Sequence, residues 1–249
     1  MIDVTMDPSD VTIPKVLSDW SVGKALAVGP VEKPKEERSQ HSPIEYFHLL
    51  ERLKIVKREG WKRHGIMRGE SIADHMYRMS MMAMCPPSSL VSQGLDINKS
   101  IKMCLIHDIA ESVVGDITPA DQVPKPEKKR RETETIDYIS TRLLHSITGD
   151  ELKCIWHEHE DGITLESRYV QDLDKLEMLL QMVEYERRAD GALDLEDFTY
   201  VKSKIQLAEM VTWARDILQD REEFWAGRKK PIRADPITRE MHEGYYAQD

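Results

Sequence analysis

The sequence predicts an all-α protein with one principal helical domain. Apolar residues recur at helical spacing from Ser42 onward, as in Ile44, Phe47, Leu50 and Leu53, and strand-like alternation is nearly absent. A length of 249 residues suffices for one domain with a buried core and tails. Every uninterrupted apolar run stays well below the roughly 20 residues that a membrane helix needs, so no membrane partner is expected.

Composition narrows the range of partners and compartments. The chain has 45 acidic and 35 basic residues, a net charge of -10, which disfavours a nucleic acid polymer because phosphate backbones are held by clustered Lys and Arg. Three cysteines without a CxxC pair indicate reduced thiols inside a cell. The acidic N-terminal sequence resembles neither a secretory signal nor a transit peptide, so we expect a cytoplasmic location, with the nucleus also open.

Three segments are expected along the chain. Residues 1–40 carry scattered Pro and a charged stretch without periodicity, which is typical of a flexible N-terminal tail. The helical domain is expected over residues 41–222. Residues 223–249 contain a short basic run and then polar sequence, and we expect a C-terminal tail there.

Start and stop signals predict the helices in order. Ser71 to Asp74 resembles a capping box with Asp in place of Glu, so a helix should begin there and run to the Pro86-Pro87 break. The next helix is expected from Ile97 to Val113, before Gly115 and an irregular, Pro-containing loop. The same periodicity predicts further helices at about 127–147, 150–159, 163–189 and 197–220.

A His-Asp pair stands inside the predicted helix that ends near Val113. His107 and Asp108 lie in an apolar run, where ionisable groups rarely occur without a partner. Glu111 follows at helical spacing, so the three side chains fall on neighbouring parts of one face and can line one cavity. For an isolated pair, a hydrogen-bonded core histidine with Asp108 as its partner is the ordinary alternative.

Two more residues extend this pair to a candidate metal site. His75 stands near the start of the capped helix, and Asp174 lies in a later helical run. Together with His107 and Asp108 they can supply four ligands to a divalent cation. Mixed imidazole and carboxylate ligands suit Mn, Fe, Co, Ni or Zn better than calcium, which prefers oxygen alone.

The sequence resembles the HD-domain metal phosphohydrolases and, among them, the eukaryotic 5′-deoxynucleotidases. The resemblance covers about residues 43–220 and is carried by Gly60-Trp61, residues 70–79, His107-Asp108-Ile109-Ala110-Glu111, Val114-Gly115-Asp116-Ile117, Pro119-Ala120-Asp121 and residues 173–178. It implies an HD-domain helical bundle with a metal site in its core. The implied metal ligands are His75, His107, Asp108 and Asp174, and the implied cation is Mn, Co, Mg, Zn or Fe.

The resemblance also implies roles for nearby acids and for a second protein copy. Glu111 and Asp116 are expected catalytic residues, one of which orients the attacking water or protonates the leaving 5′-oxygen. They are also candidates, with the backbone of Ile117, to hold a second cation. Homodimers are usual in the family, so a homodimer is expected.

Substrate contacts are expected from two basic regions. The resemblance implies that Arg58 or Arg63 contacts phosphate and that Trp61 helps to reject a ribose 2′-hydroxyl. A solvated Arg63 and a packing role for Trp61 are the alternatives. After the Asp116 loop, Lys128 or Arg131 is a candidate to reach the substrate phosphate, although a basic run is ordinarily a solvated helix face.

The predicted function is therefore metal-dependent hydrolysis of deoxyribonucleoside 5′-monophosphates to deoxyribonucleosides and phosphate. Other HD-type enzymes are the first alternative: phosphodiesterases of cyclic nucleotides or oligonucleotides, or di-iron oxygenases. These generally add His ligands, and no His occurs between residues 76 and 106. A catalytically silent HD module that binds nucleotide and regulates a partner is the second alternative, which the complete acid and histidine set disfavours.

Overall fold

The described part of the chain is helical, as the sequence predicts. A computed structural model describes residues 19–28, 42–145 and 147–231, and in these ranges it contains no β-strand beyond one isolated antiparallel bridge between Lys57 and Ser71. No helix in these ranges is long and apolar enough to cross a membrane.

The helices follow one another with short connections. The α-helices are α1 (Val22–Ala27), α2 (Ile44–Ile55), α3 (Glu59–Arg63), α4 (Ile72–Ala83), α5 (Ser88–Ser92), α6 (Ile97–Ile106), α7 (Glu111–Val114), α8 (Lys125–Tyr138), α9 (Ile147–Asp161), α10 (Leu165–Arg188) and α11 (Ala208–Trp225). Two 3-10 helices span Pro119–Asp121 and Glu196–Lys204, and a π-helical segment spans Ile139–Leu144. The predicted helix at 127–147 is thus an α-helix followed by this π segment.

The chain divides into two compact units. The first comprises Met1–Tyr77 and Leu105–His157, and the second comprises Arg78–Cys104 and Glu158–Asp249. Helices α4, α6 and α9 each begin in one unit and end in the other. The single domain expected over residues 41–222 stays a prediction.

Helix α7 lies at the centre of the first unit. All four of its residues are buried, and it packs against α1, α2 and α8. Leu49 and Leu53 from α2 and Ile136 from α8 belong to the same apolar cluster as Val113 and Val114. Burial of these side chains against one another fixes the helix that carries Glu111.

The predicted N-terminal tail requires a correction over residues 19–28. Ser21 caps α1 by accepting a hydrogen bond from the Lys24 amide, and Trp20, Ala25 and Leu26 are buried in the core of the first unit. We call residues 19–28 the Trp20 segment. It is ordered because one aromatic and two aliphatic side chains bury apolar surface there. The rest of the expected tail lies outside the described residues.

The end of the chain also departs from the predicted pattern. The predicted helix at 197–220 is a 3-10 helix followed by α11, because the buried carboxylate of Asp172 accepts hydrogen bonds from the Gln206 and Leu207 amides between them. The C-terminal tail expected from residue 223 begins later, since α11 runs to Trp225 and this side chain is buried. Residues 232–249 lie outside the described part.

A buried ion-pair network joins α10 and α11. Glu186 is fully buried and accepts two hydrogen bonds from Arg221, at 2.8 and 2.9 Å, and one from the Trp225 indole at 2.8 Å. Arg221 also contacts Asp194 at 2.7 Å. A buried charge that loses its partner is strongly destabilising, so this network makes the docking of α11 sensitive to single substitutions.

We expect Glu186→Gln to lower the free energy of unfolding by about 3 kcal/mol, because it leaves a buried guanidinium with one charged partner fewer. Asp220→Asn is the matched control, since Asp220 forms an exposed ion pair with Arg187 and its loss should cost less than about 1 kcal/mol. Urea unfolding followed by Trp fluorescence measures both values. Equal effects of the two substitutions would contradict this account of the network.

Candidate functional site

A capping box positions His75. The Ser71 amide and hydroxyl both donate to the Asp74 carboxylate, at 2.8 and 2.7 Å, and the Asp74 amide donates back to the Ser71 hydroxyl at 3.1 Å. The reciprocal bonds confirm the predicted capping box and start α4 at Ile72. His75 therefore lies in the first turn of α4, where its side chain is fully buried.

His107 and Asp108 lie in a turn between α6 and α7. The prediction of one continuous helix to Val113 is wrong here, because α6 ends at Ile106 and hydrogen bonds between residues three apart tighten the chain over residues 107–110. The Trp156 indole donates to the His107 carbonyl at 3.1 Å. This bond satisfies a carbonyl that the interrupted helix leaves without its usual partner.

Three candidate ligands converge in the first unit. The Asp108 Oδ2 atom lies 3.2 Å from His107 Nε2 and 3.8 Å from His75 Nε2. The two imidazole rings meet edge to face with centroids 5.6 Å apart. One ligand atom from each of the three residues lies within 4.8 Å of the others, so these side chains can hold a metal ion together.

Arg58 joins this cluster from the chain segment before α3. The Ile72 amide donates to the Val56 carbonyl at 3.0 Å, and the Arg58 amide donates to the Glu70 carbonyl at 3.2 Å, so residues 56–58 pair with residues 70–72. Arg58 Nη1 then reaches Asp108 Oδ2 at 3.3 Å.

The Asp108 carboxylate is stabilised by these cationic and imidazole neighbours. Burial acts to raise the pKa of Asp108, but His107, Arg58 and His75 outweigh it and hold the pKa well below its usual range. An ionised carboxylate between two imidazoles and a guanidinium is suited both to bind a cation and to fix the Arg58 side chain.

Glu111 and Asp116 lie beside this cluster and form, with Asp108, an acidic cluster. Burial raises the pKa of Glu111 well above its usual range, and the charges of Asp108 and Asp116 raise it further. Among the described residues, Glu111 Oε2 is buried without a hydrogen-bond partner. Asp116 is oriented by the Glu59 amide, which donates to its Oδ2 atom at 2.6 Å.

Lys128 faces the acidic cluster, whereas Arg131 is engaged elsewhere. Burial acts to lower the pKa of Lys128, and four carboxylates outweigh burial and raise it: Glu132, Glu111, Asp116 and Asp108. Arg131 contacts Glu127 at 2.8 Å and lies over the Trp20 ring. Of the two candidate phosphate contacts in α8, Lys128 is therefore the one whose charge interacts with the acidic cluster.

Trp61 in the middle of α3 and Arg63 at its end are each held by a carboxylate. Trp61 is 2 % exposed, and its indole donates to Glu70 Oε1 at 2.7 Å. Arg63 donates to Asp121 Oδ1 at 2.6 Å, so it links α3 to the 3-10 helix Pro119–Asp121. Arg58 and Arg63 thus differ in their partners, and Arg58 is the one that contacts Asp108.

The predicted roles of Asp174 and Ile117 as ligands are not tested by the described geometry. Asp174 lies in α10 of the second unit, where its charge raises the pKa of Cys104 in addition to the larger effect of burial. Ile117 is buried in the core of the first unit. Their roles as metal ligands stay predictions.

Glu70 and Asp121 are supporting residues to which the sequence analysis assigns no role. Asp121 forms a second capping box with Thr118 while it binds Arg63, and the sequence signal is the same Ser/Thr-x-x-Asp pattern as at Ser71. Glu70 binds Trp61 across nine residues, and no local pattern predicts such a contact.

The comparisons with known proteins agree with this geometry. The family model of the HD domain matches residues 50–212. The 5′-deoxynucleotidase hdd1 of Schizosaccharomyces pombe is 42% identical over 77% of this chain and 96% of its own length. The 5′-deoxynucleotidase YGK1 of Saccharomyces cerevisiae is 39% identical over 75% of this chain and 86% of its own length.

A solved structure gives the same result for the fold. The structure of HD domain-containing protein YGK1 superposes with a TM-score of 0.59 at 28% identity and covers 83% of this chain and 99% of that chain. Sequence, fold and the convergence of His75, His107 and Asp108 thus agree, and this chain belongs to the HD-domain family.

Proposed function

We propose that this protein is a metal-dependent 5′-deoxynucleotidase, which hydrolyses deoxyribonucleoside 5′-monophosphates to deoxyribonucleosides and phosphate. The observation that carries the proposal is the convergence of His75, His107 and Asp108, beside Arg58 and an acidic cluster. The similarity to relatives named 5′-deoxynucleotidase supports the proposal that the 5′-phosphate ester is the bond cleaved and that a deoxyribonucleoside monophosphate is the substrate.

The donor set fits a divalent cation. Two imidazole Nε2 atoms and one carboxylate oxygen approach one another, and such mixed ligands are usual for Mn, Fe, Co and Zn sites. We propose Asp174 as the fourth ligand on the family resemblance. When bound, the cation supplies positive charge that stabilises phosphoryl oxygens and promotes the ionisation of water.

Arg58 and Lys128 are the proposed phosphate contacts. Both carry positive charge beside the acidic cluster, and each has a nearby carboxylate that fixes it: Asp108 for Arg58 and Glu132 for Lys128. Cationic side chains that are held in position bind and orient a phosphate at less entropic cost than flexible side chains do. Arg63 acts indirectly in this proposal, through its bond to Asp121.

Glu111 is the proposed general acid, and Asp116 the proposed acceptor that orients water. The raised pKa of Glu111 keeps a proton on its carboxyl group, which suits it to protonate the 5′-oxygen as the bond between phosphorus and that oxygen breaks. Asp116 is held by the Glu59 amide, so its free lone pairs have a defined direction. A second cation held by Glu111, Asp116 and the Ile117 carbonyl is the other role open to these residues.

Three broader features belong to the same proposal. The family resemblance supports a homodimer as the working form. The three cysteines without a CxxC pair support a cytoplasmic or nuclear location. The physiological cation is proposed to be one of Mn, Co, Mg, Zn or Fe, because these ligands accept several ions and availability in the cell decides among them.

We expect Asp108→Ala and His107→Ala to abolish both metal binding and phosphate release, because each removes a ligand from the cluster. His157→Ala is the matched control: this histidine packs beside Trp156 and should be dispensable for both. Metal content after dialysis, measured with phosphate release from dAMP, checks the result. Stoichiometric metal in the folded Asp108→Ala variant would contradict the assignment.

Glu111→Gln should keep the metal and lose about a hundredfold or more in turnover, since the amide cannot donate and regain the catalytic proton. Glu134→Gln, at an exposed position of α8, should retain wild-type turnover. Single-turnover rates and metal content of the purified variants provide the measurement. Wild-type turnover in Glu111→Gln would reduce Glu111 to a structural residue.

Trp61→Ala should narrow the preference for deoxyribonucleotides, because the cavity left by the buried indole has room for a 2′-hydroxyl. The expected change lies between about tenfold and two hundredfold in the ratio of kcat/KM for dAMP and AMP. It should arise mainly from better use of AMP, with metal content unchanged. Trp61→Phe, which keeps an aromatic ring, should retain most of the preference. Equal losses on both sugars would show that Trp61 only supports the pocket.

A further inference from the structure

We infer that the Trp20 segment is a positioning element of the phosphate site: Trp20 fixes the first turns of α8 so that Lys128 faces the acidic cluster. The inference rests on the proposed function for the substrate and for the role of Lys128 as a phosphate contact, and inorganic phosphate probes that contact directly. It adds Trp20, a residue that lies outside residues 50–212, which the HD-domain family model matches.

The first step is the contact between Trp20 and α8. Trp20 is 5 % exposed, and its ring centroid lies 5.7 Å from the guanidinium carbon of Arg130 and 5.6 Å from that of Arg131. Both distances fall in the range of cation–π attraction. Arg131 is itself buried, so the contact between Trp20 and Arg131 is shielded from water and is stronger than the same contact at the surface.

The second step is the carboxylate that joins the two arginines. Glu127 accepts from Arg130 Nε and from Arg131 Nε, each at 2.8 Å. Hydrogen bonds from these two groups lower the pKa of Glu127 to about 2, so it remains ionised throughout the neutral range. Trp20, the two guanidinium groups and Glu127 therefore form one connected unit, and Lys128 is the next residue in the chain.

The third step is that the same segment contacts the helix of Glu111. Helix α1 packs against both α7 and α8. Ala25 and Leu26 belong to the same buried cluster as Val113 of α7 and Ile136 of α8. The distance between the Lys128 ammonium and the Glu111 carboxyl group thus depends on a segment that lies far from both in sequence.

The alternative is that Trp20 merely stabilises the first unit. A stabilising residue changes the fraction of folded protein, and every activity then falls together. A positioning residue changes phosphate affinity in protein that is fully folded, and its effect disappears when the group that it positions is removed. A double-mutant cycle between Trp20 and Lys128 separates these two roles.

Trp20→Leu is the informative substitution, because it keeps a large apolar side chain and removes the ring face. In metal-replete protein, we expect the Kd of inorganic phosphate, measured by calorimetry, to rise about tenfold, with metal content unchanged. KM for dAMP should rise by a similar factor, while kcat changes less than about twofold. Trp20→Phe should restore phosphate binding, since a smaller ring still attracts guanidinium groups.

Two further variants complete the test. Leu90→Ala is the control for stability, because it removes a buried side chain that lies in the second unit and outside the apolar cluster of the Trp20 segment, and it should leave the Kd of phosphate unchanged. In a Lys128→Met background, Trp20→Leu should have no further effect on phosphate. An unchanged Kd in Trp20→Leu, or an equal tenfold loss in the Lys128→Met background, would overturn the inference.

The outcome is independent of the proposed substrate. If the wild type binds phosphate with the expected coupling and does not hydrolyse dAMP, the positioning role stands and the proposed function fails. If dAMP is hydrolysed and the coupling between Trp20 and Lys128 is absent, the proposed function stands and the positioning role fails.

Discussion

One carboxylate oxygen organises the first unit of this protein. Asp108 Oδ2 lies close to side-chain nitrogen atoms of Arg58, His107 and His75, which come from three separate parts of the chain. A partly buried carboxylate without such neighbours is costly, since burial favours its neutral form. The capping box at Ser71, the turn after α6 and the pairing of residues 56–58 with 70–72 each place one of these groups, and together they make the ionised form favourable.

Features set by local sequence could be predicted, and features set by distant contacts could not. The capping box at Ser71 depends on four consecutive residues, so its pattern was sufficient to place the start of α4 and His75. The break after Ile106 depends partly on Trp156, which takes up the carbonyl of His107 from 49 residues away. The burial of Trp20 depends on two arginines more than a hundred residues later, and no local periodicity reports such a contact.

The same limit applies to the candidate site. Arg58 and Arg63 flank Trp61 at similar spacing, so sequence alone cannot separate them. Their partners do: Asp108 lies 50 residues after Arg58, and Asp121 lies 58 residues after Arg63. His107 and Asp108 could be predicted as a site because ionisable groups in an apolar run need a partner, and the resemblance to HD-domain enzymes joined His75 to them as a metal ligand. The supporting contact of Glu70 with Trp61 could be seen only in the fold.

The pairing of residues 56–58 with residues 70–72 separates a loop that can set substrate preference from the residues that frame the hydrolytic centre. It closes residues 59–69 into a loop whose two ends are joined by backbone hydrogen bonds, and these bonds do not depend on side-chain identity. Changes of sequence within the loop can therefore leave the frame of Arg58 and His75 intact. Substrate preference can diverge there, in natural relatives or in engineered loops, while the hydrolytic centre is inherited unchanged.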